Sequence, residues 1–266
     1  MTPHTHRVQL HRSAIAGIEA MTLHSDHAFP RHSHDTFGIG VMLTGAQRSW
    51  SVVGQVEAEA GDVLMLNPGE MHDGSPIGGP RAWRIIYIDP HVVRDAIADD
   101  ADAGEPTIRP VARDAALGAS VARLFGALGR DDALLAEESL ACCLMRAIEH
   151  HEVRGQHRPG ASPSISRALQ RLDEAPEIAV SLEELARCCG ITRFQLLRGF
   201  AREVGTTPHA YRVQRRVRLA RRLLAGGASP AEAALQAGFS DQPHMTRVFT
   251  RHVGITPGRY RKVLPS

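Results

Sequence analysis

The stretch at residues 238–261, GFSDQPHMTRVFTRHVGITPGRYR, decides how the rest of the chain is read, because a looser copy of its ending stands 49 residues upstream. Residues 204–212 are VGTTPHAYR and residues 253–261 are VGITPGRYR, identical at six of nine positions. An internal repeat outranks any single motif as a guide to architecture. Two copies are too few for a solenoid, so the repeat points to a pair of small related modules.

Each copy carries the punctuation of two short helices joined by a glycine turn. Ser181 with Glu184 forms a capping box opening a helix through Cys188, Gly190 supplies the left-handed turn, and Thr192 caps a second helix over residues 193–202. Downstream the order repeats: Ser229 with Glu232, a helix through residue 237, Gly238, Ser240 as cap, then a helix over residues 241–252. A short helix, a tight turn and a second helix are a helix-turn-helix, so two are expected, at residues 181–202 and 229–252.

Periodicity then separates an inner face from an outer one. Leu196 and Phe200 in the first copy, and Met245 and Phe249 in the second, are spaced by four and should face inward. Arg193, Phe194, Leu197 and Arg198 remain on the opposite face of the first helix, with Gln242, His244, Thr246 and Arg247 on that of the second. Those types suit direct readout: Arg forks to guanine O6 and N7, Gln pairs with adenine, and Leu, Phe or a Thr methyl touches thymine methyls. Arg202 and Arg251, with the caps Thr192 and Ser240, are placed for phosphates, which position without specifying. Between the copies, residues 211–224, YRVQRRVRLARRLL, read as a helix of about 21 Å. It would act as a strut between two recognition helices.

Charge supports the division. Residues 1–163 hold 14 Lys and Arg against 21 Asp and Glu, while residues 164–266 hold 17 against 8, so an acidic half precedes a basic one. That asymmetry suggests a nucleic-acid module joined to an acidic domain, with a solvated helical surface as the alternative. The four cysteines form two neighbouring pairs, Cys142-Cys143 and Cys188-Cys189, without CxxC spacing. Reduced thiols in the cytoplasm are the expectation. No run of apolar residues resembles a signal peptide or approaches a membrane span.

The front half reads as all-β. Apolar or alternating runs (FGIGVML, RSWSVV, GQVEAE, DVLMLN and AWRIIYI) recur between residues 37 and 88, separated by Thr44-Gly45, Gly54, Gly61-Asp62, Pro68-Gly69 and Gly78-Gly79-Pro80. Spacing near ten residues indicates a sandwich or barrel. Asp89-Pro90 starts a helix over residues 91–98, residues 99–110 read as loop, and Leu117, Val121, Leu124 and Leu128 form a helical seam. Leu140, Leu144 and Ile148 continue it behind Asp131 as cap, facing either the sheet or a second copy of the chain. Residues 154–163 are dense in breakers and read as a linker. The expected layout is an α+β multidomain chain: a β-barrel at 1–98, a helical packing or dimerisation region at 99–153, the linker, and an all-α domain at 164–266.

His32 and His34 precede the first strong strand, and PGEMH places His72 after a strand end. This layout resembles the cupin barrel, whose histidine motifs bring three imidazoles together. The resemblance also implies a carboxylate seven residues before Gly45, where this chain has Gly38, which cannot ligate. Glu70 or Asp73 stands as a possible substitute. Three readings stay open for the trio: lining of a small-molecule pocket, a metal site, or surface histidines.

The back half is identified by SLEELARCCGITRFQLLRGFAREVGTTPHAYR followed by GFSDQPHMTRVFTRHVGITPGRYR, which resembles the AraC/XylS family of bacterial transcription regulators over about the last 100 residues. The resemblance implies two helix-turn-helix units in adjacent major grooves, activation through RNA polymerase, and an effector-binding cupin-like domain with dimerisation helices in front. Carried over by position, the base-reading residues are Arg193, Phe194, Leu197, Arg198, Gln242, Pro243, His244, Thr246 and Arg247. Leu197 is apolar where the family often has a polar residue, and Pro243 removes a donor from the first helical turn. The expectation is therefore a homodimeric regulator without enzymatic activity or cofactor, binding promoter DNA and a small effector. The competing reading is a metal-dependent cupin enzyme fused to a DNA-binding domain. A constitutive DNA-binding protein whose barrel only dimerises is a third.

Overall fold

The computed structural model describes residues 6–11, 13, 15–51, 53–96, 106–130, 132–153 and 161–263. The chain divides into two compact units, Met1–Gln156 and His157–Ser266.

In the first unit eight described strands form an antiparallel sheet: β1 (His6–His11), β2 (Ile18–Ser25), β3 (Phe29–His32), β4 (Phe37–Ser51), β5 (Gly54–Glu59), β6 (Val63–Leu66), β7 (His72–Ile88) and β8 (Val111–Ala112). The order is β1-β2-β7-β4-β6-β8, with β3 on β7 and β5 on β4. Among the described residues the pairing does not return from β8 to β1, so the sheet is open where the sequence suggested a barrel. Two of the expected strand breaks are also absent. Thr44-Gly45 lies inside β4 and Gly78-Gly79-Pro80 inside β7, so these glycines bend two long strands instead of ending them. Gly45 has φ of 72°, and a Cβ there would lie 2.7 Å from the Pro80 carbonyl oxygen, so the strands close up only without a side chain. On either side of the bends the paired strands recruit different neighbours: β7 pairs with β2 along residues 81–88 and with β3 near its start.

β1 and β2 were not visible as strands in the sequence, and β2 buries apolar side chains on both faces. Ile18 and Ala20 point to a core shared with Phe37, Ile39, Val63, Met65, Ile86 and Ile88. Helices α1 (Pro90–Ala96), α2 (Ala115–Leu128) and α3 (Ala133–His151) complete this unit. The predicted seam Leu117, Val121, Leu124 and Leu128 is wholly buried in that core, so it covers the sheet and is not available to a second copy. Each such side chain contributes about 1.5–3 kcal/mol on burial. The cap of α3 is Asp132; the expected cap, residue 131, lies outside the described residues, as do 97–105 and 154–160. Leu134 and Met145 are left on the outer side of α3, 74% and 52% exposed.

The second unit is all helix: α4 (Pro163–Glu174), α5 (Leu182–Cys188), α6 (Arg193–Gly199), a π-helical turn (Phe200–Val204), α7 (Pro208–Ala225), α8 (Pro230–Gln236), α9 (Gln242–Val253) and α10 (Pro257–Val263). The repeated nonapeptide explains itself here. Gly205 and Gly254 end a helix in the left-handed conformation, at φ of 81° and 87°. Thr207 then caps α7, Thr256 receives the Arg259 N–H at the head of α10, and Pro208 and Pro257 begin those helices. The tyrosines lock each copy from behind: Tyr211 stacks edge-on against Phe200 at 5.8 Å, and Tyr260 against Phe249 at 5.6 Å. Helix α7 starts at Pro208, earlier than expected, and its 18 residues span about 27 Å.

Candidate functional site

Both recognition helices are set by their caps. Ser181 and Glu184, Thr192 and Gln195, and Ser229 and Glu232 each form reciprocal capping boxes. The head of α9 differs from expectation. Asp241, not Ser240, is its cap: Asp241 Oδ1 accepts the His244 N–H at 2.6 Å, while Ser240 Oγ bonds His244 Nδ1 at 3.0 Å. A carboxylate is the stronger partner for a helix start, since it also meets the positive end of the dipole. Those contacts hold the Asp241 carboxyl below its ordinary range, chiefly through the His244 N–H. Pro243 sits in the first turn of α9, where the missing N–H had no intrahelical partner to lose.

Leu196, Phe200, Met245 and Phe249 are fully buried, as their spacing predicts. Arg193, Phe194, Leu197 and Arg198 lie on the exposed side of α6, with Phe194 66% and Leu197 39% exposed. The Arg198 guanidinium stands 5.5 Å from the Phe194 ring, so these two present one combined surface. On α9, Gln242, Pro243 and Arg247 are exposed, and His244 and Thr246 are half-buried. His244 packs edge-on against Phe239 at 5.4 Å, with its Nδ1 held by the Ser240 hydroxyl.

The first recognition helix is not one continuous α-helix over residues 193–202. It passes into the π turn at Phe200, next to Gly199, where a Cβ would lie 2.7 Å from Ile165 Cδ1. Arg202 pairs there with Glu203 at 2.5 Å, and Glu203 accepts both the N–H and the hydroxyl of Ser162 at 2.9 Å. Ser162, Phe194, Arg198, Arg202 and Glu203 border a surface hollow of about 390 Å³. Arg251 on α9 is exposed, as are Thr192 and Ser240.

Much of the arginine surplus serves the fold. Arg216 donates from Nε to the Pro176 carbonyl at 2.7 Å and from Nη2 to that of Glu177 at 2.9 Å, while Arg215 meets Asp173 at 2.9 Å and Arg221 meets the Tyr260 hydroxyl at 3.4 Å. Sequence pattern placed these arginines off the apolar stripe of α7 but carried no sign of which would cap carbonyls.

In the first unit His32, His34 and His72 do come together, each offering a nitrogen within 4.8 Å of the others. His32 pairs with His72 across β3 and β7. His32 Nδ1 bonds the Pro30 carbonyl at 2.7 Å and His72 Nδ1 that of Glu70 at 3.1 Å. With Nδ1 donating to a carbonyl, the neutral imidazole carries its lone pair on Nε2. Imidazoles of this kind suit zinc, copper, iron or nickel. The rest of the donor set is a poor fit: a Cβ at Gly38 would lie 3.0 Å from Leu66 Cδ1, Glu70 accepts from Asn67 at 2.7 Å, and Asp73 accepts the Trp50 N–H at 2.7 Å. The Tyr87 ring closes the group, 4.7 Å from that of His34.

A residue missed in sequence is Arg81, fully buried on β7 and donating to Gln47 Oε1 at 3.0 Å and to the carbonyls of His27 and Gly74 at 3.1 and 3.2 Å. Burial pulls its pKa down to about 10, against an opposing effect from Asp26. Trp83 and Phe29 flank the guanidinium at 4.9 and 5.9 Å.

Comparison with known proteins gives this arrangement a family. Residues 14–142 match the AraC-like ligand binding domain, and residues 185–263 match a helix-turn-helix domain. An HTH-type transcriptional regulator of Bacillus subtilis, YbfI, is 30% identical over 82% of this chain and 81% of its own length. The chain belongs to the AraC family of transcriptional regulators. It pairs a ligand-binding domain with a helix-turn-helix DNA-binding domain. Other AraC-family relatives match more narrowly: the transcriptional activator NphR of Rhodococcus is 30% identical over 59% of this chain and 49% of its own. Among solved structures, ToxT of Vibrio cholerae shares the fold over 98% of this chain and its entire length, with a TM-score of 0.57 at 11% identity. Among the described residues no helix is long and apolar enough to cross a membrane.

Proposed function

We propose that this AraC-family regulator is a non-enzymatic, homodimeric activator in the cytoplasm, which reads a promoter with α6 and α9 under control of a small molecule. Arg193, Phe194, Leu197, Arg198, Gln242, Pro243, His244, Thr246 and Arg247 read bases; Thr192, Arg202, Ser240 and Arg251 hold phosphates; RNA polymerase is the downstream partner. The observation that carries this reading is the pair of exposed faces at the heads of two capped helices, each backed by buried apolar residues four apart. Activation is supported by the activator NphR among the relatives. Dimerisation is supported by the exposed apolar residues of α3.

A fluorescence-anisotropy titration against an operator selected by this chain tests the assignment. Arg198→Ala is expected to relax preference at one base position, at about 1–3 kcal/mol. Arg251→Ala is expected to weaken all sequences alike and to lower the salt dependence by about one phosphate. Wild-type binding by both variants would overturn it.

In the first unit His32, His34 and His72 are proposed to line the effector site with no metal, because the surrounding carboxylates are committed elsewhere. Elemental analysis decides this point. Stoichiometric metal lost in a His32/His34/His72 triple alanine variant would favour the metal-dependent reading instead.

A further inference from the structure

The two modules have equivalent turn glycines in different surroundings. Gly190 and Gly238 both adopt positive φ, 68° and 77°, so both resist a side chain for local reasons. A Cβ on Gly190 would meet nothing within 4 Å. On Gly238 it would lie 2.5 Å from the Glu177 carbonyl oxygen and 2.6 Å from the Glu177 Cα. The turn of the second module therefore rests directly on the backbone that joins α4 to α5 in the first.

That same backbone is also gripped by α7. Arg216 holds the carbonyls of Pro176 and Glu177 at 2.7 and 2.9 Å, and Arg212 approaches that of Val180 at 3.5 Å. Just ahead, Asp173 at the end of α4 accepts the Tyr211 hydroxyl at 2.8 Å and pairs with Arg215 at 2.9 Å. A helix linking two modules fixes their separation. A second, direct contact between them is what removes the remaining swing.

We propose that residues 173–180 form a joint that locks the two modules in a single relative pose, with Arg216 and Gly238 as its positioning residues, and that this joint sets which spacing of DNA subsites the chain accepts. The proposal rests on α6 and α9 reading bases. Neither positioning residue lies on a reading face. One inserted base pair shifts the second subsite by about 3.4 Å and rotates it by about 35°, a change that a locked pair cannot follow.

The test compares full-length wild type, Gly238→Ala, Arg216→Ala and Gly190→Ala on a selected operator and on versions with one base pair inserted or deleted between subsites. Wild type and Gly190→Ala should favour the parent spacing by at least about tenfold. Gly190→Ala strains only its own turn, so it should lose affinity without changing that ratio. Gly238→Ala and Arg216→Ala should bring the ratio to within about twofold. Arg216→Ala places no atom against backbone, so it remains informative if Gly238→Ala fails to fold. An Arg216→Ala chain that melts normally and keeps the wild-type ratio overturns the joint. If reading-face variants such as Arg247→Ala still lose affinity in that case, the base-reading assignment survives and only the joint fails.

Discussion

Replacing Asp114 by alanine should unfold the first unit at a markedly lower temperature. Its carboxylate caps α2 by accepting the N–H groups of Ala116 and Leu117 at 3.0 and 2.9 Å, and it receives His151 Nε2 at 3.0 Å and Arg146 Nη2 at 3.1 Å. It thereby ties the start of α2 to the last residue of α3. Losing the cap costs about 1 kcal/mol. The bond to His151, whose side chain is 11% exposed, adds about 1–1.5 kcal/mol. Arg146 is 36% exposed, so its pairing contributes at most about 1 kcal/mol. The sum, about 3 kcal/mol, corresponds to a fall of about 6–12 °C for a unit of this size. Asp114→Asn keeps the capping oxygen but not the charge that holds His151 and Arg146, so it should lose about two thirds as much. Both tryptophans, Trp50 and Trp83, lie in the first unit, so tryptophan fluorescence follows its transition separately from the second unit.

The pH dependence follows from the same contacts. The Leu117 N–H, then His151 and Arg146, hold the Asp114 carboxyl well below the usual carboxylate range. A depressed folded pKa means that the stabilisation is fully present above the unfolded value of about 3.9 and is lost as pH falls below it. The gap between wild type and Asp114→Ala should narrow as pH falls below about 4. A shift smaller than about 2 °C at neutral pH, or a gap that fails to narrow below about pH 4, would refute the reasoning.

Further outcomes are equally specific. Cys142 and Cys188 are exposed while Cys143 and Cys189 are buried, and burial pushes the Cys143 thiol up to about 12. A thiol reagent should therefore modify two cysteines per chain quickly and two only on unfolding. Asp241→Ala should weaken operator binding and the helicity of the second module more than Ser240→Ala does, and the reverse order would restore Ser240 as the cap. Leu124→Ala should cost the first unit about 2–5 kcal/mol in urea unfolding, with the fluorescence midpoint as readout.

The second unit was legible because its signals are local. Capping boxes, a turn glycine and an i,i+4 pair of apolar residues lie within a few positions of one another, so both modules and their faces could be numbered from the chain alone. The errors there came from competition between neighbours: Ser240 and Asp241 are both good caps, and only geometry shows that the carboxylate reaches the His244 N–H. The joint at Glu177 was invisible, since it depends on residues 39 and 61 positions apart in sequence.

The first unit was less legible for the opposite reason. Gly45, Gly78 and Gly79 supply positive φ in a bulge as readily as in a turn, so breaks were expected where strands continue. β1 carries polar residues on one face and β2 has buried apolar residues on both, so neither shows a simple alternation among its histidines. His32, His34 and His72 were nevertheless grouped correctly, because a motif fixed them before any strand boundary did.

The most direct measurement is the affinity of the full-length chain for a selected operator and for the same DNA with its second subsite scrambled, at one fixed salt concentration. Two reading heads predict that scrambling lowers affinity by at least about 100-fold, since each mismatched base pair costs about 1–3 kcal/mol. The Arg247→Ala chain should lose most of that discrimination. Equal affinity of the wild-type chain for both DNAs would contradict the central claim that α6 and α9 read sequence together.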